Sequence, residues 1–237
     1  MEFKIIAHIR TDFPEKFGIP RQPGLVAELK GRIVFEPEFR NPDMLRGIDE
    51  FSHLWLLWQF SGNLDAAGEA KWSPTVRPPR LGGNKRLGVF ATRSPFRPNP
   101  IGMSAVKIEE VSYSGPEGPV IYVSGADMLD MTPIYDIKPY IGYTDAIADT
   151  KGGFTDSTEY KKLKVVFGPE ADSFVKAGGQ SENFIGSLIK ILENDPRPHY
   201  QNDPERIYGM AYAGHEIKFS VRDEILTVIS INPRTEG

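Results

Sequence analysis

Across residues 1–145, apolar positions fall in short runs, alternating or continuous, broken by glycine and proline. That pattern predicts strands and turns rather than long helices. Residues 3–9 are isoleucine rich and partly alternating. Residues 25–35 read as a hairpin reversing at Lys30-Gly31, where glycine permits the turn. Asn41-Pro-Asp-Met-Leu-Arg-Gly47 has proline near its start and glycine at its end, which predicts one or two helical turns. Residues 52–60, with Trp55, Trp58 and Phe60, predict a strand buried on both faces. Residues 87–91, 104–113, 120–124 and 134–140 complete the strand set, as expected for an all-β barrel or sandwich.

After a small, polar, glycine-containing linker at residues 145–157, the pattern changes. A strand is predicted over 159–167 and helical material over 170–194, interrupted at Gly178-Gly179. Phe184, Leu188, Ile191 and Leu192 recur at helical spacing and mark a buried face. Residues 207–212, 216–221 and 225–231 read as a three-stranded meander. The expected organisation is mainly β: an N-terminal β-barrel domain at 1–145, then a smaller α+β domain at 158–237.

Composition narrows the chemistry. The absence of cysteine excludes disulfides, thiolate nucleophiles and cysteine-based zinc sites. The N-terminus reads as a first strand, not a signal peptide, and no apolar run approaches the ~20 residues that span a bilayer. A cytoplasmic protein with no membrane partner is expected. The formal net charge is -4, yet between Glu69 and Glu109 there is no acidic residue, while Lys71, Arg77, Arg80, Lys85, Arg86, Arg93, Arg97 and Lys107 fall inside that interval. Such a local excess points to a defined anionic partner, or else to a solvated face balanced by the rest of the fold.

The familiar phosphate loops, dinucleotide fingerprints and serine elbows are absent. The histidines, His8, His53, His199 and His215, show no metal spacing, so no metal is expected. His53, within an apolar strand, reads as a hydrogen-bonded packing residue. Four glycine- or proline-rich segments stand out instead: Gly18-Ile-Pro-Arg-Gln-Pro-Gly24, Pro74-Thr-Val-Arg-Pro-Pro-Arg-Leu-Gly-Gly-Asn84, Thr92-Arg-Ser-Pro-Phe-Arg-Pro-Asn-Pro100 and Gly125-Ala-Asp-Met-Leu-Asp-Met-Thr-Pro-Ile-Tyr-Asp-Ile-Lys-Pro-Tyr140. Each alone suits an ordinary turn. Strand ends gather such loops into a pocket mouth, and proline holds arginines at restricted positions.

These segments, with Phe51-Ser-His-Leu-Trp55, Gly88-Val-Phe-Ala-Thr-Arg-Ser94, Phe96-Arg-Pro-Asn-Pro-Ile-Gly-Met103 and Asp136-Ile-Lys-Pro-Tyr140, closely resemble the TsaA-like family. The resemblance covers residues 3–145 and extends to Asp195-Pro-Arg-Pro198. It implies a β-barrel that binds S-adenosyl-L-methionine, a homodimer with the cofactor near the subunit contact, and N6-methylation of threonylcarbamoyladenosine at position 37 of tRNA. It puts Pro20, Arg21, Gln22, Phe60, Ser61, Arg93, Met103, Asp127, Met128, Leu129, Asp130 and Thr132 beside the cofactor. An arginine is expected on its carboxylate and an aspartate on its amine or ribose. Arg77, Arg80 and Arg97 are expected to engage the tRNA anticodon loop, and Asp136 or Asp130 to lie nearest the N6 proton. Two positions depart from the family pattern. Met131 stands where many relatives carry glycine, and Ser61 where some carry histidine. A non-catalytic RNA-binding β module and a regulatory dimer with an adenosyl ligand are the competing readings.

Overall fold

The N-terminal strands alternate a buried and a partly covered side, and they close on themselves. The computed structural model describes residues 3–65, 67–78, 81, 85–157, 161–178, 182–197 and 203–234. In chain order it contains β1 (Ala7–Thr11), β2 (Lys30–Phe35), β3 (His53–Gln59), a small two-stranded arm of β4 (Thr75–Val76) and β5 (Leu87–Gly88), then β6 (Ile101–Ser112), β7 (Val120–Ser124) and β8 (Thr132–Pro139). Around the barrel the order is β1-β2-β7-β6-β3-β8, with β8 returning to β1, and every pairing is antiparallel. Closure leaves no unpaired strand edge. Its interior holds Ile9, Ile33, Leu54, Leu56, Val106, Ile121, Val123 and Ile134, all buried.

Two strand readings change. Residues 25–35 form no hairpin, because Lys30 and Gly31 lie inside β2. Gly31 marks a close approach instead of a turn: a Cβ there would stand 3.1 Å from Ile9 Cδ1 across the β1–β2 pair. β3 is not buried on both faces. Leu54, Leu56 and Trp58 point inward, while His53, Trp55, Leu57 and Gln59 are only partly covered. His53 takes part in a 2.9 Å contact between its Nδ1 and Ser52 Oγ. The turn at Pro42–Leu45 forms as expected, with the Asn41 side chain accepting from Asp43 N at 3.0 Å and Gly47 at φ +82°.

A helix α1 (Gly142–Asp145) ends the barrel region. The second unit comprises β9 (Lys164–Phe167), α2 (Pro169–Ala177), α3 (Glu182–Glu193), β10 (Tyr208–Tyr212), β11 (His215–Arg222) and β12 (Ile225–Pro233). Its sheet runs β10-β11-β12-β9, with β9 parallel to β12. Residues 159–160 of the predicted strand and 179–181 of the predicted helical stretch, together with Pro198 and His199, lie outside the described residues. Phe184, Leu188, Ile191 and Leu192 are buried, as their spacing predicts.

The two units share material. The connection between β1 and β2 leaves the barrel and lays Phe13, Phe17, Ile19, Val26 and Leu29 into the core of the second unit. Gly18, at φ +99°, presses on Met210, where a Cβ would approach Sδ to 2.1 Å. Ala213 N donates to Asp12 O at 2.9 Å, and Ala211 N to Glu15 Oε1 at 3.1 Å. Among the described residues no helix is long and apolar enough to cross a membrane.

Candidate active site

At one end of the barrel β1 finishes, β2 begins, β3 finishes, β6 begins, and β7 turns into β8. The loops leaving those ends, together with the β4–β5 arm, surround a cleft of about 1450 Å³. The proline-arginine segment after β1, the turn after β3, the loop over residues 89–97 and the β7–β8 turn all contribute walls.

Asp127 is the one carboxylate on this wall among the described residues. It follows β7 and is pulled partly out of water, and that burial raises its pKa to about 6. The Ser104 hydroxyl, donating to Asp127 Oδ1 at 2.7 Å, and the charge of Arg93 oppose the rise without cancelling it. Ser104 in turn accepts from Trp58 Nε1 at 3.0 Å. The indole lies against Gly102, where a Cβ would approach its ring to 2.3 Å. β3–β6 pairing sets Trp58 opposite Gly102 and Leu56 opposite Ser104, so register alone builds this relay.

The cations are held differently. Arg93 donates to Gln22 Oε1, and Gln22 to the carbonyl of Arg21. Arg21 Nη2 donates to Arg197 O at 2.8 Å. Arg197, mostly buried, is clamped by both carboxylate oxygens of Asp195 at 2.8 and 2.9 Å. Arg97 Nη1 donates to Thr92 O and Ser94 O, each at 3.1 Å, and thereby braces its own loop. Lys16 Nζ donates to Gly62 O. Neutral oxygens thus position Arg93, Arg97 and Lys16, while Arg197 is paired with Asp195 and Arg93 is close enough for its charge to act on Asp127.

Family models match both units: residues 8–146 fit the tRNA-methyltransferase O N-terminal domain and residues 160–234 the TrmO C-terminal domain. The chain belongs to the tRNA-methyltransferase O family. An Escherichia coli (strain K12) relative named tRNA (adenine(37)-N6)-methyltransferase is 37% identical over 236 residues, 98% of each chain. A Pseudomonas aeruginosa relative named "Putative S-adenosylmethionine-dependent methyltransferase RcsF" is 42% identical over 208 residues, 86% of each chain. The crystal structure of TrmO from Pseudomonas aeruginosa superposes with a TM-score of 0.76 at 31% identity, covering 98% of this chain and 97% of that one.

Within this tRNA-methyltransferase O fold, the cleft gathers Pro20, Arg21, Gln22, Phe60, Ser61, Arg93, Met103, Asp127, Met128, Leu129 and Thr132, as the motifs predict. Arg77 and Arg97 line it too. Arg80 lies outside the described residues. Two expected residues are not brought in. Asp130 turns toward β1, accepting from Arg10 Nε at 3.1 Å and Thr11 N at 2.9 Å. Asp136 lies further along β8, where it pairs with Lys138 at 2.9 Å and accepts from Ile137 N at 2.9 Å. Both carboxylates have structural partners away from the cleft wall.

Met131 adopts the left-handed region at φ +62°, with Thr132 N donating to Leu129 O at 3.2 Å across the turn and Met131 N donating to Ile9 O of β1 at 2.9 Å. Several wall residues escaped the sequence reading. Gly152, Phe154 and Thr155, in the segment read as a linker, also line the cleft. Ser104 carried one available signal: it is polar at an inward position of β6, two residues before the buried Val106.

Proposed function

We propose that this member of the tRNA-methyltransferase O family transfers a methyl group from S-adenosylmethionine to N6 of threonylcarbamoyladenosine at tRNA position 37, acting as a cytoplasmic homodimer. The observation that carries the reading is one continuous cleft whose wall holds a poorly solvated carboxyl, Asp127, within the influence of Arg93, together with further arginines. At about 1450 Å³ it exceeds the ~300–1000 Å³ of a pocket for a single small ligand. A methyl donor and a modified nucleoside fit that size together. The relatives named for adenine-37 methylation and for S-adenosylmethionine dependence support the same pairing.

The residues present fit the donor. Asp127, whose burial disfavours an isolated charge, gains a partner in an ammonium or sulfonium group. Arg93 and Arg21, linked through Gln22, suit a carboxylate. Phe60 and Leu129, both partly exposed on the wall, offer apolar surface for a purine. When bound, S-adenosylmethionine supplies a methyl group on a cationic sulfur. The chain's own part is orientation: the Trp58–Ser104–Asp127 relay fixes the anion, and the Asp195–Arg197–Arg21 chain fixes the cation opposite. Arg77, exposed on the rim, serves the substrate side, where a threonyl carboxylate or an RNA phosphate arrives. The carbamoyl group already acidifies the N6–H, so the proton leaves to solvent without a dedicated base.

Mass spectrometry of position-37 nucleosides in tRNA from a strain lacking the protein tests the reading. Loss of the methylated threonylcarbamoyl species is expected, and its persistence overturns the assignment. Because Asp136 points away from the cleft, Asp136→Asn is expected to keep single-turnover methylation within about twofold. A hundredfold loss restores Asp136 as the base.

A further inference from the structure

Two phenylalanine rings stand on the cleft rim with little to cover them: Phe90 is 79% exposed and Phe96 47%. Neither sits on slack chain. Phe90 occupies the middle of a 3-10 turn, Val89–Ala91, whose first residue is buried. Val89 N donates to Pro74 O at 3.0 Å, and Val89 O accepts from Thr92 N at 3.1 Å and Thr92 Oγ1 at 2.9 Å. At Phe96 the backbone N donates to Ser94 Oγ at 3.2 Å, and its carbonyl accepts from Ser73 N at 3.2 Å. Arg97, bridging Thr92 O and Ser94 O, braces the loop between the rings. The backbone therefore holds both rings outward.

Their surroundings are cationic. Arg77, Arg86 and Arg93 line the same cleft, and the sequence from 70 to 108 contains no acidic residue. A rigid aromatic face set among guanidinium groups matches unpaired nucleic-acid bases, which stack on the ring while their phosphates meet the cations. A second copy of this chain is a poorer fit. A twofold contact centred here would set those arginines against their own copies.

We propose that Phe90, with Phe96 beside it, is a stacking platform for unpaired anticodon-loop bases that flank the target nucleoside. The proposal rests on the tRNA-methyltransferase reading and adds the side chains that hold the loop open.

The test measures binding of an anticodon stem-loop RNA, in the presence of S-adenosylhomocysteine so that no transfer occurs. Phe90→Leu is expected to weaken RNA binding about tenfold, and Phe90→Trp to retain it. Affinity for S-adenosylhomocysteine and the sedimentation mass should stay unchanged in both. An abasic residue at the flanking nucleotide should erase the difference between the wild type and Phe90→Leu. Arg86→Ala should instead lower the salt slope of binding by about one. Equal RNA affinity in Phe90→Leu overturns the platform while leaving the methyltransferase reading intact. A change of oligomeric mass in Phe90→Leu overturns it also and gives the ring to a second copy. Absence of tRNA methylation by the wild type overturns the parent reading, and the platform with it.

Discussion

Asp127 concentrates the electrostatics of the cleft in one carboxyl. Its pKa is raised from 3.8 to about 6 in the fold. As pH climbs, the unfolded carboxyl ionises first, so the ligand-free fold loses stability through that window and does not regain it above. Asp127→Asn is therefore expected to raise the thermal midpoint at about pH 7.5, with the gain shrinking toward about pH 4. Ligand binding should run the other way. Wild-type affinity for S-adenosylhomocysteine, which carries an ammonium group, should strengthen between about pH 5 and pH 7, and Asp127→Asn should flatten that profile in calorimetry. Gly102 supports the same carboxyl at one remove. In Gly102→Ala the new methyl would meet the Trp58 indole at 2.3 Å, forcing the ring from Ser104. A loss of about 1–3 kcal/mol in urea unfolding is expected, with weaker product binding. An unchanged unfolding midpoint would show that the indole is not wedged there.

At the level of elements, the β7–β8 turn adopts a left-handed geometry with an unsuitable residue. Met131 at φ +62° carries strain that glycine would not. Met131→Gly is expected to stabilise the protein by up to about 1 kcal/mol in chemical denaturation, with the cleft unaltered. This turn also shows what a sequence can reveal. The need for a positive φ was legible because residue type and turn position conflict at Met131. The strands β7 and β8 were legible from apolar runs bounded by turn residues. Gly31 was misread because glycine signals either a reversal or a close approach, and only the neighbouring Ile9 side chain decides between them. Asp130 and Asp136 fall outside the cleft wall for a related reason. A carboxylate beside a motif shows its type but not its partner, and here Arg10 and Lys138 claim the two groups. Phe154 was hidden in a segment whose composition marks only a linker. Long-range packing against the cleft leaves no local trace.

For the whole molecule, the second unit is a support for the site rather than an appendage. Phe13, Val26 and Leu29, which belong to the β1–β2 connection, lie in its core. The same connection carries Pro20, Arg21 and Gln22 into the cleft. Asp195 holds Arg197, whose carbonyl holds Arg21. Asp195→Ala is expected to weaken S-adenosylhomocysteine binding about tenfold, which corresponds to about 1.4 kcal/mol, while Asp195→Glu recovers part of it. A variant that melts earlier yet binds normally would make this contact purely structural.

The shared core has a consequence for synthesis. The β1–β2 connection docks against strands that follow it far along the chain, the last of them reaching Pro233. Contacts of such sequence separation form late and slowly. While the carboxy-terminal strands are still inside the ribosome, Phe13, Val26 and Leu29 have nothing to pack on, and the wall that Arg21 builds cannot set. A nascent chain thus cannot complete this wall of the cleft until β10–β12 have emerged. A chain that stalls early exposes those apolar side chains to chaperones or proteases before it can engage tRNA.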